Sequence, residues 1–586
     1  MFGRIVYISD TMAHVEVPKD QEVMVNLMNR HVIFEDENKR ILGEVEDVGA
    51  DIMKIRFLGE MNENRFTAGV LRKPNLNASV RLVNAEELNV LFGTGEQVGR
   101  FTLGVSPLYD ERPITVDING ICSNHMAIFG NTGSGKSYGV ARFIQSLFYD
   151  PKFVPFRANF MIFDAYGEYH NAFKELHNVN PQYNFKFYTT NKAQLKEGGE
   201  LLRIPLWLLS VDDYALLLNA EKHSQIPIIE RMIKLVRVFA TEGDISTRYK
   251  NHLIAKAIMD IMYTNQTSAS KRNDIFSILA SCSTQQFNLE APVQGIGYVR
   301  KFRECFLIDT SGQFTESVLI TQYITSFIDE ELEKYEPTPN HYFTLDDVEK
   351  ALQFTLISEG LLRNEKLYNE AITLKVRLHA IAVGESKEFF NYPQYITMEN
   401  YIASLVTYNN QKAQIINFNL EDADDRLSKT IVKIYSKLFF DFCKRLNDRA
   451  SIPFHLVLEE SHRYVQNDTD NFLLGYNIFE RIAKEGRKFG MLLILISQRP
   501  VELSETVISQ CSNFLIFKMT HPRDLEYMEK MLPNMSAEIM EKQKSLQPGT
   551  CVAFGMAFSI PMIVKMPLPN PEPNSTNADI VGRWTS

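Results

Sequence analysis

Apolar residues recur along this chain with different periods, and each period marks off a stretch. In residues 51–58, Met53, Ile55 and Phe57 alternate with Lys54 and Arg56, the period of a half-buried strand. Several such runs within residues 1–104 predict a small N-terminal β-barrel. From 206 to 395 the spacing lengthens to three or four positions, as in IPIIERMIKLVRVFA and EAITLKVRLHAIAVG, and predicts a helical insertion. In the flanking segments, 105–205 and 396–566, short and almost continuously apolar runs alternate with helical periods. That alternation is expected of a parallel sheet covered by helices on both faces, an α/β class.

The predicted strands of that sheet are 125–129, 160–164, 414–419, 454–458, 491–497 and 514–518. A covering helix is predicted over 421–446, where Leu427, Ile431, Ile434, Tyr435, Leu438 and Phe442 form one stripe. Prolines at 567, 569, 571 and 573 then predict that residues 567–586 leave the sheet as an extended strap without helix.

Composition adds exclusions. With 586 residues, 45% hydrophobic and 23% charged, the chain is an ordinary globular one, so disorder and low complexity are excluded. Its six cysteines include no CxxC pair, which speaks against a structural zinc site and for a reducing, cytoplasmic setting. The first residues lack a basic stretch followed by an apolar one, and the longest aliphatic run, 491–496, is too short to span a bilayer; a soluble protein is expected, with no membrane partner. A net charge of −10 argues against a basic outer surface, yet leaves nucleic acid open, because an acidic ring can line its pore with cations.

The chemistry concentrates in five places. GNTGSGKS, comprising Gly130, Asn131, Thr132, Gly133, Ser134, Gly135, Lys136 and Ser137, follows the apolar run HMAIF and precedes a helical period. It matches the phosphate-binding P-loop, whose glycines let backbone N–H groups turn inward; Lys136 is placed to reach the β and γ phosphates of ATP and Ser137 to ligate Mg2+. HLVLEE reads as the acidic strand end such a loop needs on a neighbouring strand. Glu459 is expected to hold the magnesium, where Asp is usual, and Glu460 to polarise the attacking water. Two glutamates merely solvated at a strand end are the plainer alternative.

In IFDAYGEYH, Asp164 ends the strand expected to lie beside the P-loop strand and is a candidate for the water or magnesium network. Glu168 either faces the nucleotide or caps the next helix. LLILISQRP delivers Gln498 to the same edge, as a γ-phosphate sensor or a plain amide. Within ERIAKEGRKFG, Arg487 is a candidate to act on a neighbouring subunit's phosphates, although cations also favour helix C-termini. The histidines, His462 among them, lack metal-ligand spacing and are expected to be structural.

Taken together, GNTGSGKS, FDAYGEY, LEESH, KEGRKFG and ISQRP resemble, in order and spacing, the HerA-like branch of the HerA/FtsK ring ATPases. The resemblance extends to the barrel before the P-loop and the insertion between the two motifs, and the paired Glu459–Glu460 fits that branch. It implies a RecA-like P-loop core with a HAS-barrel-like N-terminal domain. It also implies a homohexamer that hydrolyses ATP with Mg2+ at subunit interfaces and translocates double-stranded DNA. In such a ring Lys136, Ser137, Asp164, Glu459, Glu460 and Gln498 serve one site and Arg487 the next. The resemblance implies an effector partner as well, a NurA-like or other nuclease or a sirtuin-like NAD hydrolase, met through the barrel, in DNA end processing or antiphage defence. It gives the strap, with Trp584 as its anchor, a contact on the adjacent subunit. Two other readings share these motifs: an ATP-controlled hexameric scaffold for an effector with little translocation, and a conjugation-type secretion ATPase.

Overall fold

Strands without a polar face need cover on both sides, and the central sheet has it. The computed structural model describes residues 2–17, 26–36, 39–62, 65–94, 98–335, 341–358, 365–466, 470–531, 537–575 and 580–585. Two units divide the chain: Met1–Glu200, Ile402–Asp468 and Asn477–Ser586 in the first, Leu201–Tyr401 and Thr469–Tyr476 in the second.

The first unit holds a 12-stranded sheet among the described residues. Seven strands make its parallel part, in the order Phe185–Thr189, Ile415–Asn419, Phe160–Asp164, Phe454–Leu458, Met491–Ser497, His125–Phe129, Cys511–Phe517. Antiparallel strands Thr550–Gly555, Met562–Lys565, Arg100–Ser106 and Arg112–Asp117 extend it beyond Cys511–Phe517. Alternate residues of one strand face opposite ways. Thus Phe160 meets Phe148 of the helix Lys136–Tyr149, whereas Phe163 meets Tyr435 of the helix Asp425–Arg445. Each large apolar side chain so buried contributes about 1.5–3 kcal/mol. The second helix begins at Asp425 rather than at the predicted 421, because Asp424 caps it by accepting from the Leu427 N–H at 2.7 Å.

The strand order corrects two expectations. The strand bearing Asp164 is separated from the P-loop strand His125–Phe129 by two others, and the strand ending before Glu459 is separated from it by one, Met491–Ser497. Apolar runs mark strands but carry no neighbour information, so the intervening strand is invisible in sequence.

Before this sheet lies, among the described residues, a seven-stranded antiparallel one, in which Ile5–Ile8, Met12–Glu16, Ile52–Asn62, Lys39–Val48, His31–Asp36 and Ser79–Leu82 follow one another and Arg65–Ala68 pairs with Ile52–Asn62. It curls round Val15, Val32, Phe34, Ile41, Met53 and Ile55. The Phe2 N–H donates to the Val80 carbonyl at 2.8 Å, linking its two ends.

Where this curled sheet meets the large one, polar groups are buried together. His31 is buried, and its Nδ1 and backbone N–H both bond the Tyr109 hydroxyl, at 2.7 and 2.8 Å. Beside it Glu44 pairs with Arg56 at 3.1 Å and with Lys542 at 2.6 Å. Burial, with Lys542, Arg30 and Arg56 adding to it and Glu44 opposing, pulls the His31 pKa down to about 4. Between pH 6.5 and about 4 the unfolded chain therefore binds a proton that the folded chain does not, so stability falls as pH drops through that window. We expect His31→Gln to flatten the loss of stability over this range, a loss on the order of 3 kcal/mol. Parallel pH–melting profiles of the two proteins measure it, and identical acid limbs would remove His31 from the account.

The second unit is largely helical. Leu345–Ser358 packs on Gln225–Ala240 and Ser268–Cys282, and a short hairpin, Pro292–Gly295 with Tyr298–Lys301, projects from it. The amphipathic stripe of Gln225–Ala240 buries Ile228, Ile229, Met232 and Val236.

The C-terminal segment departs from expectation at its last residues. A short helix, Ile580–Thr585, ends the chain that was expected to stay extended to residue 586. Local prolines stop at 573, so nothing in the last residues forbids helix. The extended part lies on its own chain: Gln145 donates to the Pro571 carbonyl at 2.9 Å, Tyr149 to that of Asn570 at 2.9 Å, and the Asn574 N–H to that of Glu168 at 2.8 Å. Trp584 is 83% exposed.

Candidate functional site

Parallel strands in register place their C-terminal ends along one edge. Phe129 pairs with Ser497 and Phe163 with Leu458, so the residues that follow these strands converge there. After Phe129 the chain cannot continue as strand. Asn131 N–H donates to the Lys518 carbonyl, Ser134 Oγ donates to the Asn131 carbonyl at 2.6 Å, and Gly133 and Gly135 take positive φ of 76° and 89°. This folds Gly130–Ser137 into a tight cradle that feeds the helix Lys136–Tyr149. Gly135 has a further reason to be glycine. A Cβ there would stand 2.5 Å from the Gly549 nitrogen, and that same N–H donates to the Ser134 carbonyl at 3.0 Å.

Lys136 is buried, with Nζ 3.4 Å from Glu460 Oε1 and 3.9 Å from Glu459 Oε1. Burial raises the Glu459 pKa to about 8, with Lys136 opposing and Glu460 and Glu168 adding to it. The hydroxyl of Tyr169 donates to Glu459 Oε2 at 2.7 Å. Glu460 titrates the other way: burial raises it, but His462 and Lys136 together prevail and hold it below the usual carboxylate range. Its backbone is left-handed, φ 48° and ψ 47°, an uncommon conformation for a side chain of this size. Gln498 joins both halves of the site: its Nε2 donates to Glu460 Oε1 at 3.2 Å and its Oε1 accepts from the Thr132 hydroxyl at 2.8 Å.

Lys136, Glu459, Glu460, Gln498 and Thr132 are thus gathered into one cluster. Asp164 is not aimed at it. Its carboxylate accepts from the Glu168 and Tyr169 N–H groups at 3.0 and 2.8 Å and from Asn417 Nδ2 at 3.1 Å, shaping the loop that carries Tyr169. Burial lifts its pKa to about 6 in spite of these donors. Glu168 caps no helix: the turn His170–Phe173 starts at Tyr169 without a side-chain cap, and Glu168 receives the Ser575 hydroxyl at 3.2 Å instead. Arg487 is exposed and lies near His125, at the opposite end of the P-loop strand from the cradle. His462, read as structural, stands with Nδ1 3.1 Å from Glu460 Oε2. Tyr169 and His462 were hidden because their relevance depends on carboxylates 290 residues away in one case and on one turn of backbone in the other.

What this cradle can hold follows from its donors. Inward-turned backbone N–H groups and a buried ammonium suit a chain of phosphates. Among the described residues no three carboxylate, histidine or cysteine side chains come close enough to hold a cation by themselves. Ser137 and Glu459 offer hard oxygen donors suited to magnesium that arrives with phosphate ligands, where it would neutralise charge on their oxygens.

Comparison with known proteins agrees with this geometry. Residues 98–291 match the family described as Helicase HerA, central domain. A probable helicase of Methanocaldococcus jannaschii is 25% identical over 541 residues, covering 91% of this chain and 78% of the relative. The DNA double-strand break repair helicase HerA of Sulfolobus acidocaldarius is 23% identical over 519 residues, covering 88% and 77%. That of Saccharolobus solfataricus is 33% identical over 144 residues, 25% of this chain and 28% of the relative.

Proposed function

Starting from a chain that carries the HerA central domain and is a P-loop ATPase, we propose that it is an ATP-driven translocase of double-stranded DNA. The observation that carries the reading is the connected cluster in which Lys136, Gln498 and the paired acids Glu459 and Glu460 meet at one sheet edge. The cradle Gly130–Ser137 binds the triphosphate, and Lys136 moves from Glu460 to the β and γ phosphates. Glu460, held ionised, takes a proton from the attacking water, and Gln498 senses the γ phosphate through the amide that otherwise bonds Glu460 and Thr132. Ser137 and Glu459 would hold magnesium arriving with the phosphates, where it would neutralise charge on their oxygens.

In this reading six copies form a ring. Arg487, exposed and remote from its own cradle, completes the neighbour's site, and the duplex passes through the pore. The curled N-terminal sheet receives an effector enzyme, a nuclease or an NAD hydrolase, in DNA end processing or antiphage defence. Among the described residues no helix is long and apolar enough to cross a membrane.

The test is ATP turnover with and without linear duplex DNA, with Glu460→Gln run alongside. DNA is expected to raise turnover of the wild type only, and the stimulation to weaken steeply between about 50 and 200 mM salt as counterion release is lost. Turnover indifferent to DNA at low salt would overturn the motor reading in favour of the scaffold.

A further inference from the structure

Glu460 is shared among three groups, and they are not equivalent. Oε1 faces Lys136 Nζ at 3.4 Å and Gln498 Nε2 at 3.2 Å, both of which the phosphates claim once nucleotide is present. Oε2 faces neither. Against it stands His462 Nδ1 at 3.1 Å, and the same nitrogen lies 3.2 Å from Ser497 Oγ. Ser497 Oγ already accepts from the Arg499 N–H at 2.9 Å.

These neighbours differ in geometry. Nδ1 and Ser497 Oγ form a hydrogen bond, whereas Glu460 Oε2 is buried without a hydrogen-bond partner, and His462 Nδ1, 3.1 Å away, is the polar group set against it. A proton on Nδ1 would satisfy that oxygen. His462 is itself fixed. It sits in the short turn Ser461–Arg463, whose Ser461 hydroxyl donates to the Ile496 carbonyl at 3.0 Å, and its side chain is 12% exposed.

We propose that His462 is a positioning residue for Glu460. Its Nδ1–H anchors Oε2 to the end of the strand Met491–Ser497 and so keeps Oε1 aimed at the attacking water after Lys136 and Gln498 have turned to the phosphates. The left-handed backbone at Glu460 makes such an anchor necessary, because a strained residue keeps its conformation only where its surroundings hold it. This inference rests on the assignment of Glu460 as the water-activating group.

The experiment compares His462→Leu, His462→Asn and Glu460→Gln by steady-state ATP turnover and by equilibrium binding of a fluorescent ATP analogue. Leucine fills the space without a donor, while the asparagine Nδ2 can take the place of Nδ1. His462→Leu is expected to lower kcat about 10- to 100-fold, the scale on which a displacement of ~1 Å acts. Nucleotide affinity and KM should stay within about twofold of wild type, since no phosphate contact is lost. His462→Asn should regain most of kcat. Full turnover in the leucine variant would overturn the proposal, as would equal impairment of leucine and asparagine, or a fall in affinity parallel to kcat. If Glu460→Gln itself turns over normally, the failure lies with the Glu460 assignment instead.

Discussion

Glu460→Gln is expected to lower ATP turnover by about 10²- to 10⁴-fold, the range that a positioned general base contributes. The side chain keeps its size and can still occupy the buried position between Lys136 and His462. What it loses is the negative charge, and with it the capacity to accept a proton from water. Binding should respond differently. In the nucleotide-free chain the Lys136 ammonium is engaged by both Glu459 and Glu460, so neutralising Glu460 releases part of that hold and leaves Lys136 freer to meet phosphate. Affinity for the ATP analogue should therefore be unchanged or tighter. Phosphate release and analogue binding, measured on the same preparation, give both quantities. Turnover within twofold of wild type would sink the assignment.

Gly135→Ala is expected to abolish useful nucleotide binding, weakening it at least about 100-fold, equivalent to roughly 3 kcal/mol. Part of the cost is local: alanine at φ 89° pays about 1–2 kcal/mol. The rest comes from elsewhere in the chain. The new methyl group would lie 2.5 Å from the nitrogen and 2.9 Å from the Cα of Gly549. Gly549 cannot retreat freely, because its N–H bonds the Ser134 carbonyl and its carbonyl accepts from the Met566 N–H at 2.9 Å. Either the cradle opens or the 549 turn separates from it. Gly133→Ala is the control, since it adopts a similar φ of 76° but its Cβ meets nothing within 4 Å. Thermal melting without nucleotide should show Gly133→Ala losing only the local strain and Gly135→Ala losing more. Equal losses would mean that the contact with Gly549 has no energetic weight.

These two substitutions show unequal legibility. The place of Glu460 just past a strand end was readable because an acidic pair after an apolar run is a local pattern. The need for glycine at 135 was readable only in part: the motif announces a turn, but Gly549 lies 414 positions away and no spacing rule connects them. The strands were legible for the same reason as Glu460. Four of the six predicted runs coincide with observed strands to the residue, and the strand Cys511–Phe517 begins three residues before its apolar run because Cys511 and Asn513 pair with the P-loop strand there. Asp164 is the opposite case. Its place at a strand end was legible, yet its carboxylate turns to Glu168, Tyr169 and Asn417, a choice made by a loop and by the strand Ile415–Asn419 some 250 residues on.

By itself, then, the sequence determined the periodic elements, the phosphate-binding turn and the types of group available to it, since each depends on residues within one turn of helix or one strand. Tertiary structure alone decided the order of strands, the removal of Asp164 from the cluster, the opposite titration of Glu459 and Glu460, and the posts given to Tyr169 and His462. Most of those outcomes depend on distances of a few ångströms between segments hundreds of residues apart, and that of His462 on the turn the backbone takes at Glu460. Desolvation and hydrogen-bond geometry act at that range, and no local pattern encodes them.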